Sequence, residues 1–145
     1  MSAGSVIAVC ASKRKGTPKT DVGSGILEVG FGLAGDAHGG DWHRQVSLLS
    51  SEEIGSMAAK GLEVKPGSFA ENLTTQGFDL GSVKPGDRLR VGETAVLEVT
   101  QIGKECHTRC AIYHKIGECI MPEKGVFARV IEGGPVKSGD SIDFA

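Results

Sequence analysis

The sequence predicts a mainly β fold of the α+β kind: a curved, barrel-like sheet with two or three short helices. Three observations carry this prediction. The 22 glycines follow no collagen-like period and fall between short Val, Ile, Leu and Phe runs, as in many short strands joined by tight turns. Six segments have the length, β-branched content or alternation of strands. One helix is marked by a cap at its start and a glycine past its end.

In chain order, strands are expected at residues 5–11 (SVIAVCA), 45–49 (QVSLL), 87–91 (DRLRV), 95–101 (AVLEVTQ), 126–131 (VFARVI) and 141–144 (SIDF). So many short strands suit a barrel or a strongly curved sheet. Ser50-Ser-Glu-Glu53 is a capping box and Gly61 a C-terminal stop, which places a helix over 51–60. A second helix is expected from about 109 to 117, where Cys110, Ala111, Tyr113, His114 and Ile116 give a mixed apolar and polar surface. Val83-Lys-Pro-Gly-Asp87 and Val136-Lys-Ser-Gly-Asp140 echo one another, each a turn that leads into a strand and has glycine where φ is positive.

At 145 residues the chain is expected to be a single domain spanning 1–145, able to bury about two thirds of its unfolded surface without disulfides or metal. A net charge of -2 with interspersed signs, and 5% aromatic residues, argue against nucleic acid as a partner. The N-terminal apolar run precedes the basic residues, the reverse of a signal peptide. No segment approaches the roughly 18 apolar residues of a membrane span. A cytoplasmic protein without a membrane partner is expected. In a reducing cytosol Cys10, Cys106, Cys110 and Cys119 are free thiols, ligands or redox groups rather than a disulfide framework.

The densest chemistry lies in QIGKECHTRC, residues 101–110. As metal chemistry, Cys106, His107 and Cys110, completed by His114 or Cys119, would make a zinc site, although the irregular spacing is unlike paired knuckles. As thiol chemistry, Cys106 between an expected strand and an expected helix, with Lys104, His107 and Arg109 nearby, has the setting of a stabilised thiolate. Such a sulfur would bind a soft metal or carry persulfide. The plain alternative is a small loop residue at 106 and a buried helix residue at 110.

Two further segments hold candidate binding residues. In GLAGDAHGGDWHRQVSLL, residues 32–49, Gly35, Gly39 and Gly40 would let backbone approach a ligand, and His38, His43 and Arg44 offer donors to an anion. The alternative is a polar glycine loop with Trp42 as a lid. In PGSFAENLT, residues 66–74, alternation would send Phe69, Glu71 and Leu73 to one face, and a carboxylate there needs a partner. Glu71 either anchors backbone amides or meets a ligand. GFGLAG at residues 30–35 has Gly-x-Gly-x-x-Gly spacing, but no expected helix follows it, and no Gly-Lys-Ser/Thr loop is present; the adjacency of Cys106 and His107 does not by itself make a hydrolase.

Taken in order, GLAGDAHG (32–39), RQVSLL (44–49), PGSFAENL (66–73), PGDRL (85–89), QIGKEC (101–106), GVFARV (125–130) and Gly139-Asp140 resemble the MOSC domain, a family named for the C-terminal domain of molybdenum cofactor sulfurases. The resemblance implies a β-barrel-like fold and a pyranopterin molybdenum cofactor (molybdopterin) or a sulfur group handled at the cysteine after the Gln-containing strand. That cysteine corresponds to Cys106, the implied catalytic thiolate and metal ligand. Motif matching carries over Gly35, Asp36, His38, Arg44, Glu71 and Asn72 as pocket residues, and the basic setting of the thiol adds Lys104 and Arg109 as cofactor-binding residues. Expected functions are cofactor sulfuration, maturation or transfer, or reduction of N-hydroxylated compounds at molybdenum. A persulfide sulfur carrier and a non-enzymatic zinc module are the alternatives. Partners would be the cofactor, a sulfur donor or acceptor protein, and a separate electron donor for a reductase, because ferredoxin cysteine spacing is missing. The chain has no room for an aminotransferase-like domain, so pyridoxal phosphate is not expected.

Overall fold

The computed structural model describes residues 4–14, 18–37, 39–61, 63–103 and 125–145. Within them the elements are β1 (Gly4–Ala11), β2 (Thr20–Asp21), β3 (Ser24–Glu28), β4 (Gly32–Leu33), β5 (Val46–Ser50), α1 (Ser51–Ala58), β6 (Leu73–Gln76), a 3-10 turn at Leu80–Ser82, β7 (Arg88–Val91), β8 (Ala95–Ile102), β9 (Val126–Glu132), β10 (Gly134–Lys137) and β11 (Ser141–Phe144). The second expected helix, over 109–117, lies outside the described residues.

Seven strands close into a barrel in the order β1-β11-β7-β8-β9-β5-β6, with β6 returning to β1. Closure leaves these seven strands without a free edge. All neighbours are antiparallel except β5 and β6. Parallel neighbours need a crossover instead of a tight turn, and α1 with the segment after it supplies one. A three-stranded sheet, β10-β3-β4, lies beside the barrel.

Side-chain alternation separates two cores. Val46 and Leu48 of β5 point into the barrel with Val6, Leu73, Leu97 and Val126. Leu49 points outward, where it joins Ile54 and Met57 of α1, Phe69 and Phe127. The period-two pattern of β5 and the i, i+3 spacing on α1 thus meet over one outer face. The expectation that Phe69, Glu71 and Leu73 share a face fails here. Residues 66–69 form a turn and Ala70 has φ 65, so the chain leaves extended geometry before β6 begins. Phe69 enters the outer core and Leu73 the inner one.

The helix start is as expected: the Ser50 hydroxyl accepts from Glu53 N–H at 3.2 Å, and Glu52 and Glu53 occupy the first turn. Its end falls earlier than residue 60, because Lys60 N–H and Gly61 N–H bond to Met57 and Ala58 carbonyls in a tighter closing turn. Replacing Ser50 by Ala should lower stability by about 1 kcal/mol, read as a shift in urea midpoint with an unchanged slope. The two echoing turns are the same object. Lys84 N–H donates to Asp87 and Lys137 N–H to Asp140, each at 2.9 Å, and Gly86 and Gly139 have φ 97 and 98, a region open to glycine.

No helix among the described residues is long and apolar enough to cross a membrane.

Candidate functional site

Two groups of polar side chains surround β5. The first is buried and occupied with the protein's own backbone. Lys19 Nζ meets Asp36 Oδ1 at 2.8 Å with both side chains fully buried, and Asp36 also accepts from Ser12 N–H at 3.1 Å. Burial alone would raise the Asp36 pKa; the bonds from Lys19, Asn72 and Ser12 outweigh it and hold the carboxyl below its ordinary value. Asn72 Oδ1 accepts from Ser47 N–H at 2.9 Å, while its Nδ2 donates to the Cys10 carbonyl at 3.1 Å. One amide thereby ties β1, β5 and the entry to β6 together.

Glu71 is fully buried. Its Oε2 accepts from Gly67 N–H at 2.9 Å and from the Thr74 hydroxyl at 2.7 Å, so it does anchor a backbone amide. Its Oε1 has no hydrogen-bond partner. Burial pushes its pKa up, more than these bonds lower it. Cys10 is a free, buried thiol in the same cluster, pushed up to about 12 by burial and then by the Glu71 and Asp21 charges. It is therefore a neutral packing group and not a nucleophile.

The second group faces outward. The Arg44 guanidinium lies 4.7 Å from the Trp42 ring centre and 5.7 Å from that of Phe127. Its Nε is buried without a hydrogen-bond partner, and no ion pair is formed by Arg44 among the described residues. Stacking on two aromatic faces fixes the planar fork while leaving its donors for an anion. Trp42 is in turn edge-on to His43, at 5.7 Å. His43 Nε2 meets Gln101 Oε1 at 2.9 Å, Gln101 Nε2 donates to the Gly103 carbonyl at 2.7 Å, and the Thr100 hydroxyl donates to the His43 carbonyl. These contacts tie residues 42–44 to the end of β8. Gly103 N–H bonds to the Gly125 carbonyl at 2.7 Å, closing the base of the segment that carries Cys106.

The residues singled out from sequence thus divide. Asp36 and Asn72 come together through a shared hydrogen bond; Glu71 joins Cys10 and Thr74; Arg44 stands apart on its aromatic platform. Gly35 faces open space, whereas a side chain at Gly39 would strike the Phe31 ring at 2.3 Å, so the close approach at Gly39 is to Phe31. His38, Lys104, Cys106, His107, Arg109, Cys110, His114 and Cys119 lie outside the described residues. Among the described residues no cluster of three His, Cys, Asp or Glu side chains is arranged to hold a metal. Lys19, Gln101 and Phe127 were not singled out. A buried lysine has no sequence signal, since lysine is almost never fully buried, and Gln101 and Phe127 read simply as strand residues.

The fit to an anionic pterin cofactor follows from this division. The buried orphan Nε of Arg44, with Trp42 and Phe127 beside it, suits a flat anionic group. Asp36 and Asn72 are committed to protein partners, and Glu71 is fully buried.

Residues 34–143 match the MOSC domain, and the chain belongs to the MOSC domain family. That family is associated with the molybdenum cofactor. No curated protein sequence matches the chain significantly. Among solved structures, the YuaD protein from Bacillus subtilis is similar at a TM-score of 0.79 and 21% identity, over 98% of this chain and 94% of that one. YiiM from Geobacillus stearothermophilus is similar at a TM-score of 0.72 and 18% identity, over 98% and 75%. YiiM from Escherichia coli is similar at 0.66 and 23%, over 100% and 70%. At these identities the likeness is one of fold.

Proposed function

We propose that this chain binds the pyranopterin molybdenum cofactor, with the Cys106 thiolate as ligand to molybdenum and Arg44 as the anion-binding side chain, in cofactor maturation, transfer or catalysis. The observation that carries the reading is the Arg44 guanidinium, stacked on two aromatic rings and without an ion pair among the described residues, next to the base of the Cys106 segment. Cys106 is three positions beyond Gly103 in the sequence, a reach of at most about 11 Å. Thiolate is a suitable soft ligand for such a metal. When bound, molybdenum would supply oxygen-atom or sulfur exchange chemistry, including removal of oxygen from N-hydroxylated compounds, with electrons from a separate donor protein. The work of this chain is to hold the anionic end on Arg44, keep that guanidinium oriented on Trp42 and Phe127, and keep residues 42–44 registered on β8 through His43, Gln101 and Thr100.

The test is expression in a molybdenum-competent host, followed by elemental analysis and pterin fluorescence. Wild-type protein is expected to carry both signals, Cys106→Ser to lose molybdenum, and Arg44→Met to retain at most a tenth of the pterin, the loss of one charge-assisted contact. Wild-type protein that retains neither after reconstitution refutes the reading. Stoichiometric zinc in place of molybdenum supports the zinc module, and a sulfur adduct on Cys106 without metal supports the persulfide carrier.

A further inference from the structure

The Glu71 carboxyl has no part in the cofactor reading, and it sits beneath the strap that leads from α1 into β6. Residues 64–70 form this strap. Val64 and Phe69 place it on the outer core that includes Phe127, and the Phe127 ring is one of the two that Arg44 stacks on. Gly67 lies so close to residue 19 that an added Cβ would be 2.1 Å from the Lys19 carbonyl oxygen. Ala70 is held at positive φ, its carbonyl accepting from the Ser47 hydroxyl at 3.3 Å. The strap is held at Gly67, whose carbonyl accepts from Lys19 N–H at 2.8 Å and Ala70 N–H at 2.9 Å and whose N–H donates to Glu71 at 2.9 Å.

We propose that Glu71 is a proton-dependent clasp on this strap and, through Phe69 and Phe127, a positioning residue for Arg44. Protonated, it closes the strap; ionised, it opens it. The Arg44 part of this inference rests on the anion-binding reading above.

The reason is desolvation of a charge that hydrogen bonds compensate only in part: burial raises the Glu71 pKa more than Gly67, Thr74 and the backbone N–H groups of Glu71 and Phe69 lower it. Among the described residues no cation forms an ion pair with Glu71. Of the groups around it, Lys19 is paired with Asp36, the Cys10 thiol stays neutral until about pH 12, and Asp21 on β2 is an acid. Lys65 on the strap and Glu63 just before it are exposed. A carboxylate in this place costs more than a neutral carboxyl, and in the open strap it reaches water. Because the closed-state pKa is raised, the stability of the closed strap is fully present below the ordinary carboxylate pKa. It declines as pH rises toward the closed-state pKa.

Amide exchange on the cofactor-free protein tests this. After correction for intrinsic exchange, protection at Gly67 is expected to fall with pH in the wild type by up to tenfold per unit. It should stay flat in Glu71→Gln, which keeps an acceptor for the Gly67 N–H. Flat wild-type protection, or the same slope in Glu71→Gln, overturns the clasp. Sulfate binding, followed by emission of Trp42, the chain's single tryptophan, tests the positioning role. Affinity should weaken with pH more steeply in the wild type than in Glu71→Gln; parallel profiles overturn that role. His43, packed against Trp42, is common to both proteins, so the difference isolates Glu71. Failure of sulfate to bind either protein counts against the Arg44 reading, and the exchange data still decide the clasp.

Discussion

Lys19→Met is expected to destabilise the protein by about 3–5 kcal/mol, because it leaves the Asp36 carboxylate buried without its counter-ion. Lys19 and Asp36 are fully enclosed at 2.8 Å, so water cannot take the place of the ammonium. The pair joins residues 12–19 to the loop after β4, with Ser12 N–H bonded to the same carboxylate oxygen. Neutralising both partners in Lys19→Met/Asp36→Asn should recover at least half of the loss, since Asn still accepts from Ser12 and no charge is buried. The pH dependence should reverse. In the wild type the Asp36 pKa is lowered, so its stabilisation is present above the ordinary aspartate value and is lost as pH falls through the folded value. In Lys19→Met burial dominates and raises that pKa, so acid should narrow the deficit. Urea unfolding across the acid range gives all three results, and a loss below 1 kcal/mol, or an unchanged sign of the pH slope, refutes the account.

Asn72→Ala is expected to cost about 2–6 kcal/mol, since it strands two buried backbone groups at roughly 1–3 kcal/mol each. Its Oδ1 satisfies Ser47 N–H and its Nδ2 satisfies the Cys10 carbonyl, one on β5 and one on β1. Truncation also opens a void between β1 and β5, which are not hydrogen-bonded neighbours in the sheet. Asn72→Asp retains the acceptor for Ser47 but turns a carboxylate toward the Cys10 carbonyl, so it should be no better than Ala. Denaturant midpoints with an unchanged slope measure both variants. A loss under 1 kcal/mol for Asn72→Ala would mean that water replaces the amide.

Much of the barrel was legible because its determinants are local. The strands β1, β5, β7, β8, β9 and β11 announce themselves by β-branched or alternating residues, the cap of α1 by Ser50, and the paired turns by Gly86 and Gly139. The strands that escaped notice are short or atypical. β10 contains Gly134 and Pro135, which are poor strand formers, yet it is an edge strand of its sheet, where a missing N–H is tolerated. β3 and β4 gain their order from the barrel they cover: Leu27 and Leu33 sit in its core.

The candidate site was less legible, for a reason seen in Asp36, Asn72 and Arg44. All three are polar residues in glycine-rich or turn-rich stretches, and their sequence neighbourhoods do not distinguish them. What separates them is distance along the chain to a partner. Asn72 reaches Ser47 and Cys10, and Val130 N–H reaches back to Gln45 at 3.0 Å. Among the described residues Arg44 meets the faces of Trp42 and Phe127.

The amino-acid order alone determined the β class, the family motifs, and the presence of a thiol in a basic setting, because strand alternation, caps and turns depend on neighbours a few residues away. Only the tertiary structure decided which polar groups are consumed inside the protein and which keep a free valence. Desolvation and hydrogen bonding act between strands that the sequence keeps tens of residues apart, so the buried Asp36–Asn72 network and the open guanidinium of Arg44 come into being only when the barrel closes.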